Sequence, residues 1–530
     1  MEALGTNLIT PLRTCQLLRI KSLPSSVTSF DFESGMKRAH CGSNSITFRR
    51  LCPFLLAITI LSSFIFWSRP ASTPCNIDAA FAAAAEQNRS LDILAFSSAL
   101  NQLSFSVRPP PRLLKIALFV KRWPQRNRAG GLERHALTLH LALARRGHEV
   151  HVFTTKSNAT LGDSAAAASA LIFHPTDPSP AGFLNQALAW EQFRIHNATG
   201  RPFEVIHSES VGVLHGRARG LRNLAASWHG IAYETIHSDV VQDLLRGSSE
   251  PRSPIVAERL SKVIEEVKFF PRYAHHVATS DHVGDVLKRV YMIPEGRVHI
   301  IVNGVDESVF GPDPKSGVEF KAKVGVPSGA KLVIGIAGRL VKDKGHPLMF
   351  EALKKAFEEE ETFRKGDVFV LVAGDGPWGD RYRELGRSVI VVGPLEQSEL
   401  AKFYNSLDVY MNPTLRAQGL DHTFIEAMIS GVAAAGTRFA SITGSLIVGP
   451  EVGYTFLPTV ESLTACLFRI AADGKEVLAR KGEAARNRAL RLHTATKMSL
   501  AYERLFLCIA KRAPAVKDDD DYCEYPLPWD

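Results

Sequence analysis

From Leu113 onward, short apolar runs alternate with amphipathic stretches, and this alternation constrains the fold more than any other feature of the chain. Such runs separated by helical segments are typical of parallel sheets that are covered by helices on both faces. The first half has runs at 113–120, 149–154, 203–207, 224–228, 275–279 and 298–302. The second half has runs at 331–338, 368–374, 388–393, 408–413 and 431–436. We therefore expect an α/β chain with two doubly wound Rossmann-like domains, residues 113–310 and 311–491, facing a cleft.

The composition agrees with a folded body of this kind. Hydrophobic residues make up 45% of the 530 residues and charged residues 22%, which excludes disordered, collagen-like and multi-span membrane classes. The seven cysteines are too scattered for a disulfide-rich scaffold or a zinc knuckle. The formal net charge of +9 favours anionic partners, but no motif is typical of a nucleic-acid reader, so we expect no nucleic-acid partner.

Residues 51–67 form an uncharged apolar run that follows a basic segment, residues 1–50. Its length lies at the short end of the roughly 17–25 residues that cross a bilayer. Because Arg49 and Arg50 precede it, the positive-inside rule predicts a single-pass type II anchor with a cytosolic tail and a lumenal body. We expect the membrane to be that of the Golgi. A buried core helix and a plastid transit peptide are the alternatives.

The residues that follow the apolar run also fit a lumenal body. Residues 68–112 are predicted to form a stem that ends in the stiff spacer RPPPR. Three tripeptides have the pattern for N-linked glycosylation, at Asn88, Asn158 and Asn197.

Candidate functional residues follow the predicted strands, because ligand loops lie at the carboxyl ends of parallel strands. Gly130 and Gly131 lead from a long loop into a helix, which lets phosphate oxygens approach backbone N–H groups. A plain loop-to-helix turn is the alternative. Arg339 and Lys344 follow the strand at 331–338 and are two cations placed for a diphosphate, unless they are only solvated surface charges.

Two other patterns carry less weight. Residues 374–379 match the dinucleotide pattern G-x-G-x-x-G, which would suggest an NAD-dependent oxidoreductase. That pattern belongs on the first strand of a domain, and Pro377 weakens the match. The acids at 518–521 are typical of a solvated terminus, so residues 513–530 are predicted to form a flexible tail. We expect no metal and no other cofactor.

Several segments, in a fixed order over about residues 113–510, resemble family-4 glycosyltransferases. They are AGGLERH (129–135), SWHG (227–230), ATSDHVGDVL (278–287), IVNGVDESVF (301–310), GIAGRLVKDKGH (335–346), LVAGDGP (371–377), VVGPL (391–395) and QGLDHTFIEAMISG (418–431). The resemblance implies the two-domain GT-B fold, with a C-terminal helix over 492–512 that crosses back onto the first domain. It also implies transfer of a sugar from a nucleotide-sugar donor, with retention at the anomeric carbon, to an acceptor that remains unknown.

The resemblance also implies a role for each matching residue. The catalytic set would be His229, near the transferring sugar, with Arg339 and Lys344 at the diphosphate and Gln418. The donor-binding set would be Gly130 and Gly131 at the phosphates, Asn303 in the loop leading to the crossover, Gly374, Gly393 and Pro394 at the base, Asp421 near the sugar and Glu426 at the ribose.

Gln418 departs from the family pattern, because it stands where the first acid of a glutamate pair is expected, eight positions before Glu426. Glutamine keeps an acceptor oxygen but loses the charge, a deficit of about 1 kcal/mol or roughly tenfold in rate. A catalytically inactive sugar-binding or scaffold relative is therefore the alternative function. Structural roles are open for Glu426 in a capping box with Thr423, for Asp421 as a helix N-cap and for His229 as a packed histidine.

Overall fold

The computed structural model describes residues 90–124, 130–156, 170–247, 254–417, 420–511 and 521–530. The predicted anchor 51–67, Asn88, Asn158 and Gln418 lie outside these residues. A search of the described ranges finds no helix with the length and hydropathy of a membrane span.

Two parallel sheets and one short antiparallel pair make up the strands. In chain order these are β1 (Leu91–Asp92), β2 (Lys115–Phe119), β3 (Glu149–Thr155), β4 (Ile172–Thr176), β5 (Val205–Glu209), β6 (Leu224–Trp228), β7 (His275–Ala278), β8 (Val298–Ile300), β9 (Leu332–Ala337), β10 (Val368–Ala373), β11 (Val389–Gly393), β12 (Val409–Asn412), β13 (Ala433–Thr437), β14 (Gly453–Phe456) and β15 (Glu524–Tyr525).

Helices cover both sheets. They are α1 (Gly131–Arg145), α2 (Gln186–Ala198), α3 (His215–Ala218), α4 (Ala232–Leu244), α5 (Ile255–Phe269), α6 (Asp281–Arg289), α7 (Pro314–Val324), α8 (His346–Glu359), α9 (Glu361–Arg364), α10 (Trp378–Arg383), α11 (Gln397–Asn405), α12 (His422–Ile429), α13 (Val460–Leu492) and α14 (Ala495–Lys511).

The first sheet has the order β4-β3-β2-β5-β6-β7-β8 and the second β11-β10-β9-β12-β13-β14. All strand pairs in both sheets are parallel, which confirms the prediction of two α/β domains. The strand order reverses between β2 and β5 in the first sheet and between β9 and β12 in the second. Ligands bind at such reversal points in open α/β sheets, so the two points direct attention to the loops after β2 and β9.

Two strands were not predicted, and both are short outer strands. β4 forms one edge of the first sheet and contains Pro175, and proline is tolerated only where a strand has a free side. β14 has four residues and forms one edge of the second sheet. Neither segment has the continuous apolar run by which buried central strands are recognised.

Residues 311–317 are rich in glycine and proline, a composition that predicts a hinge between the domains, but residues 314–317 begin a helix. Pro314 takes the first helical position of α7, and the Asp313 side chain accepts a hydrogen bond from the Ser316 N–H at 3.1 Å. Proline at this position and aspartate before it are both favourable at a helix start. The described connection between the sheets therefore runs from the end of β8 to Asp313.

The last helix, α14, packs on the first domain, against α1, and its residues Met498–Ala510 are buried without exception. The Glu503 carboxylate accepts hydrogen bonds from Arg146 at 2.7 and 2.6 Å and contacts His148 Nε2 at 2.7 Å. The chain re-enters the first domain beside the outgoing connection, where Ala495 N–H donates to the Val305 carbonyl at 2.8 Å. Both passages between the domains are thus tied together.

The prediction that residues 68–112 form a stem is wrong for residues 90–103, which pack on the body. Ile93 and Leu100 are buried, because the apolar side chains of this segment find a surface on the first domain. Asn101 holds both interdomain passages: its amide donates to the carbonyls of Val302 and Leu492 at 3.2 and 3.1 Å, and its oxygen accepts from Val302 N–H at 2.9 Å.

The predicted flexible tail is also wrong for residues 521–530. A disulfide joins Cys508 of α14 to Cys523, and β15 pairs antiparallel with β1. The Asp530 carboxylate forms an ion pair with the buried Arg504. A buried guanidinium without an acidic partner would strongly destabilise the fold. The described ends of the chain therefore form one clasp, which we define as residues 90–107, Cys508 and residues 521–530.

Removing the disulfide is expected to destabilise the protein. A cross-link that closes a loop of about 15 residues contributes about 3 kcal/mol, and the bonded cysteines are separated by 15 positions. Cys523→Ala should therefore lower the free energy of unfolding by about 2–3 kcal/mol, measured by chemical denaturation.

A reductant supplies the control for that variant. Dithiothreitol should lower the Tm of the unaltered protein toward that of Cys523→Ala and leave the variant unchanged. A variant as stable as the unaltered protein would show that the bond does not form.

Candidate active site

A cavity of about 450 Å³, here called the first cavity, lies between the domains at the carboxyl ends of β2, β9 and β10. A second cavity of about 480 Å³ adjoins it. Both are lined by Gly130, Gly131, Arg339, Lys344, Asp421 and His422. The reversal points of both sheets thus meet at one place, as the sequence predicted for the loops after the first strand of each domain.

The first domain presents the N-terminus of α1 to both cavities. Gly130 is the N-cap residue and offers no side chain to the first N–H groups of the helix. A methyl group added at Gly131 would lie 3.5 Å from the Nδ1 of His422, an ordinary contact distance. Uncapped N–H groups and the positive end of the helix dipole favour a bound anion at this point.

The second domain presents two cations to the same space. Arg339 follows β9, is exposed, and forms no side-chain hydrogen bond or ion pair within the described residues. Lys344 lies one turn further on, and its Nζ is 2.5 Å from Asp421 Oδ2. Arg339 is therefore a cation that forms no ion pair with an acid of the described residues.

Asp421 lies at the N-cap position of α12, as the structural alternative predicted, but its carboxylate makes no capping bond to a backbone N–H. It accepts hydrogen bonds from Lys344, from the Asn412 amide at 3.3 Å and from the Thr423 hydroxyl at 3.1 Å. Burial would raise the pKa of this carboxyl, but Lys344, with help from Asn412 and His422, outweighs burial and lowers the pKa below its usual range. Asp421 therefore stays ionised and fixes the Lys344 ammonium at the cavity wall.

Glu426 does not line either cavity. Its side chain is 1% exposed, and its two oxygens accept hydrogen bonds from Arg134 at 2.5 Å and from the Tyr404 hydroxyl at 2.8 Å. Because Asp421 is the N-cap residue, Thr423 and Glu426 do not form the capping box that was the alternative. Arg134 belongs to α1 and lines the first cavity, so this ion pair joins the two domains directly behind the cavity wall.

His229 lies just after β6 and lines the second cavity. Its Nε2 is 2.6 Å from Glu209 Oε2, and His135 Nδ1 is 3.0 Å from Glu209 Oε1. Glu209 ends β5 and is fully buried. The structure therefore decides against an isolated histidine: His229 belongs to a buried histidine–glutamate–histidine group.

Two residues that line the second cavity each have a buried polar atom without a hydrogen bond among the described residues. Asn303 donates its amide N–H to the Leu420 carbonyl at 2.8 Å, which leaves its Oδ1 without such a bond. The Nε2 of His422 is likewise without one, and burial lowers the pKa of that histidine to about 3, so the ring is neutral. Buried polar atoms without partners are rare, and both atoms lie behind the surface of the cavity wall.

The predicted base-binding residues divide into two groups. Gly374 and Pro394 line the first cavity, whereas Gly393 is not among its lining residues. Gly374 also has a packing role, because its φ is +139° and a side chain there would lie 1.8 Å from the Gly338 carbonyl oxygen. A larger residue at position 374 would push apart the loops that follow β9 and β10.

Several site residues were missed by the sequence reasoning. Arg134 lies four positions after Gly130 on the same helix face, so helical spacing could have found it. Arg122 and Arg416 line the second cavity; Arg416 lies 3.1 Å from Asp343. No local signal marks Glu209, because its partners are 74 and 20 residues away in the chain.

Two groups of side chains have the right chemistry for a metal ion. They are His135, Glu209 and His229, and His140, His207 and Glu209, with the ligand atoms of each group within 4.8 Å of one another. The expectation of no metal stays a prediction.

Two sequence models of known families match the chain. Glycosyltransferase Family 4 matches residues 129–309, and Glycosyl transferases group 1 matches residues 331–473. Each match covers one of the two sheet domains described above. Together they span more than half of the chain.

Curated relatives agree with this assignment. A D-inositol 3-phosphate glycosyltransferase of Jonesia denitrificans is 24% identical over 405 residues, 71% of this chain and 91% of the relative. A GDP-mannose-dependent alpha-mannosyltransferase of Corynebacterium glutamicum is 34% identical over 139 residues, so the chain matches only 30% of that protein's length.

Solved structures agree on the fold. Sucrose-phosphate synthase of Thermosynechococcus elongatus has a TM-score of 0.58 at 19% identity, covering 74% of this chain and 98% of that one. Anabaena HepE in complex with UDP-glucose has a TM-score of 0.53 at 15% identity, covering 74% and 99%. With two α/β domains, a cleft at both reversal points and matching family models, the chain belongs to the family-4 glycosyltransferases and has the GT-B fold.

Proposed function

We propose that this glycosyltransferase takes a sugar from a nucleoside-diphosphate donor and transfers it with retention at the anomeric carbon. The observation that carries the proposal is the position of Arg339, an unneutralised cation that shares both cavities with the uncapped N-terminus of α1. A diphosphate between them would receive charge-assisted hydrogen bonds from both domains.

The two cavities suit the two ends of such a donor. Gly374, Pro394 and Leu395 give the first cavity backbone and apolar surface for a nucleobase. The second cavity is lined by polar side chains, among them His229, Asn303 and Thr414, which suit the hydroxyls of a sugar. Glu426 lies behind Arg134, so a direct bond from Glu426 to the ribose would require Arg134 to move aside. HepE, a structural neighbour, was crystallised with UDP and glucose, in line with a donor of this class.

The proposed chemistry needs charge stabilisation above all. Breaking the sugar–phosphate bond leaves a diphosphate anion and an electron-poor sugar, and stabilising such developing charge is usually the largest catalytic contribution. Arg339, Lys344 and the α1 N-terminus supply it from fixed positions. Lys344 is pre-oriented by Asp421 and is not free to follow the leaving group, whereas the Arg339 side chain pairs with none of the described residues.

We also propose that the body of the protein lies in the lumen of the secretory pathway, in the Golgi. The disulfide between Cys508 and Cys523 supports an oxidising compartment, because cytosolic thiols are kept reduced. Asn197 lies near the end of α2 and is partly exposed, so it is a plausible acceptor of an N-linked glycan. Membrane attachment through residues 51–67 is part of this proposal.

Arg339→Ala is the sharpest test of the donor site. The variant removes an exposed cation without leaving a buried acid unpaired, so the fold should be retained. We expect donor hydrolysis or transfer, measured across a panel of nucleotide sugars, to fall about 10²–10³-fold. Lys344→Ala is harder to interpret, because it also leaves the Asp421 carboxylate without its ammonium partner.

The matched control is Lys342→Ala, an exposed lysine on the same loop that lines neither cavity. It should leave the rate unchanged. If the unaltered protein neither binds nor turns over any nucleotide sugar, the inactive-scaffold alternative is correct.

Gly131→Ala tests whether donor phosphates approach the start of α1. The added methyl has room against His422, and alanine is a better helix residue than glycine, so the Tm should not fall. Phosphate oxygens close to the backbone would meet the methyl, and the KM for the donor should rise about tenfold or more. An unchanged KM would favour the plain loop-to-helix turn.

The compartment is tested by treating protein from its native host with peptide N-glycosidase. We expect a loss of mass, and Asn197→Gln should reduce that loss by one glycan. Protein of unmodified mass in a plastid fraction would contradict the proposal and favour the transit-peptide alternative.

A further inference from the structure

We infer that Glu209 is a positioning residue that fixes the ring of His229 so that its Nδ1 is presented to the second cavity. The inference rests on the proposed function for its catalytic consequence. Its geometric part can be tested without any activity.

The inference starts from where Glu209 lies. It ends β5, and His229 follows the neighbouring strand β6, so the parallel pairing of β5 with β6 brings the two side chains to the same edge of the sheet. His135 reaches the same carboxylate from the first turns of α1. Glu209 therefore sits where a strand end, a second strand end and a helix converge.

The charge of Glu209 fixes the direction of both hydrogen bonds. Burial would raise the pKa of the carboxyl, but His135 and His229 outweigh burial and lower it well below its usual range. An ionised carboxylate can only accept hydrogen bonds. Each oxygen thus receives one ring N–H, from His229 Nε2 at 2.6 Å and from His135 Nδ1 at 3.0 Å.

It follows that the hydrogen of a neutral His229 is on Nε2 and that Nδ1 carries the lone pair. The His229 side chain is 11% exposed and lines the second cavity, and its Nδ1 has no hydrogen bond among the described residues. Nδ1 is then an acceptor for a hydroxyl of the transferred sugar.

His135 prevents the carboxylate from turning away. Its ring packs edge-on against His229 with centroids 4.5 Å apart, and Tyr502 of α14 packs against its other side at 5.7 Å. Because each carboxylate oxygen is used by a different ring, rotating Glu209 would break both hydrogen bonds. His229 is thereby held by groups that line neither cavity.

A metal ion bound by the same three residues is the competing interpretation. Zinc–nitrogen bonds of about 2.0–2.1 Å in a tetrahedral site would keep ligand atoms about 3.3 Å apart. The 2.6 Å between His229 Nε2 and Glu209 Oε2 is shorter and is typical of a charge-assisted hydrogen bond.

The first experiment measures the His229 ring directly, by NMR of full-length protein labelled with ¹⁵N-histidine, with His229→Gln to assign its signals. We expect the unaltered protein to show His229 protonated at Nε2 with an unprotonated Nδ1. In Glu209→Gln this preference should be lost. A wild-type ring protonated on Nδ1 alone, or an unchanged pattern in the variant, would overturn the inference.

The second experiment measures kinetics of the same variant. Glu209→Gln should lower kcat about ten- to hundredfold and change the donor KM less than about threefold, because the ring stays in place but loses its fixed orientation. Glu209→Asp serves if the glutamine variant does not fold: it keeps the charge, shortens the reach, and should lower kcat in the same direction. A kcat within twofold of the unaltered enzyme would overturn the inference.

Glu503→Gln is the matched control. Glu503 is also a buried acid, bound by His148 and Arg146, but it lines neither cavity. The variant should be less stable with an unchanged kcat. An equal loss of kcat in Glu503→Gln would show that removing any buried acid lowers kcat, and would overturn the positioning role of Glu209.

Two further outcomes separate the inference from its rivals. Stoichiometric zinc in the purified protein, with activity lost on chelation, would replace the positioning role by a metal site. If no donor is turned over, the proposed function fails, and the NMR measurement still decides whether Glu209 orients His229.

Discussion

Every functional group described above depends on one constraint: strands in a parallel sheet all end at the same edge. In this chain two such sheets face each other, and the strand order of each reverses beside the cleft. The loops after β2 and β9 therefore meet, although Gly130 and Arg339 are far apart in the chain. The backbone N–H groups of a helix and a guanidinium on the opposite domain can then act on one anion.

The features that the sequence predicted are those with a local cause. Buried parallel strands require continuous apolar runs, and eleven of the thirteen sheet strands lie at the predicted runs. Gly130, Arg339, Lys344 and Asp421 line the cleft because their positions follow directly from strand ends. The exceptions, β4 and β14, are outer strands whose side chains do not need to be uniformly apolar.

Other features could not be predicted, because each is a contact between segments that are distant in the chain. Glu426 was expected at the ribose, but it pairs with Arg134, 292 positions away. Glu209 acquires its partners only when β5, β6 and α1 are assembled. The segments taken for a stem and a loose tail contain apolar and charged residues whose partners lie on each other and on the body. Sequence patterns indicate which residues are buried and with what periodicity. They do not indicate which buried charged side chains contact each other.

The clasp has a practical consequence for anyone who shortens this protein. The second family model ends at residue 473 and α14 ends at Lys511. A shortened protein that ends at either point would therefore be expected, wrongly, to keep every folded part of the chain. A protein cut after Lys511 would keep Cys508 without Cys523, Arg504 without Asp530 and β1 without its partner strand. A cut before Leu113 would remove Asn101, and with it the hydrogen bonds by which its side chain holds both interdomain passages. The two ends must be kept or removed together, and a purification tag at the C-terminus would follow directly on the buried Asp530 carboxylate.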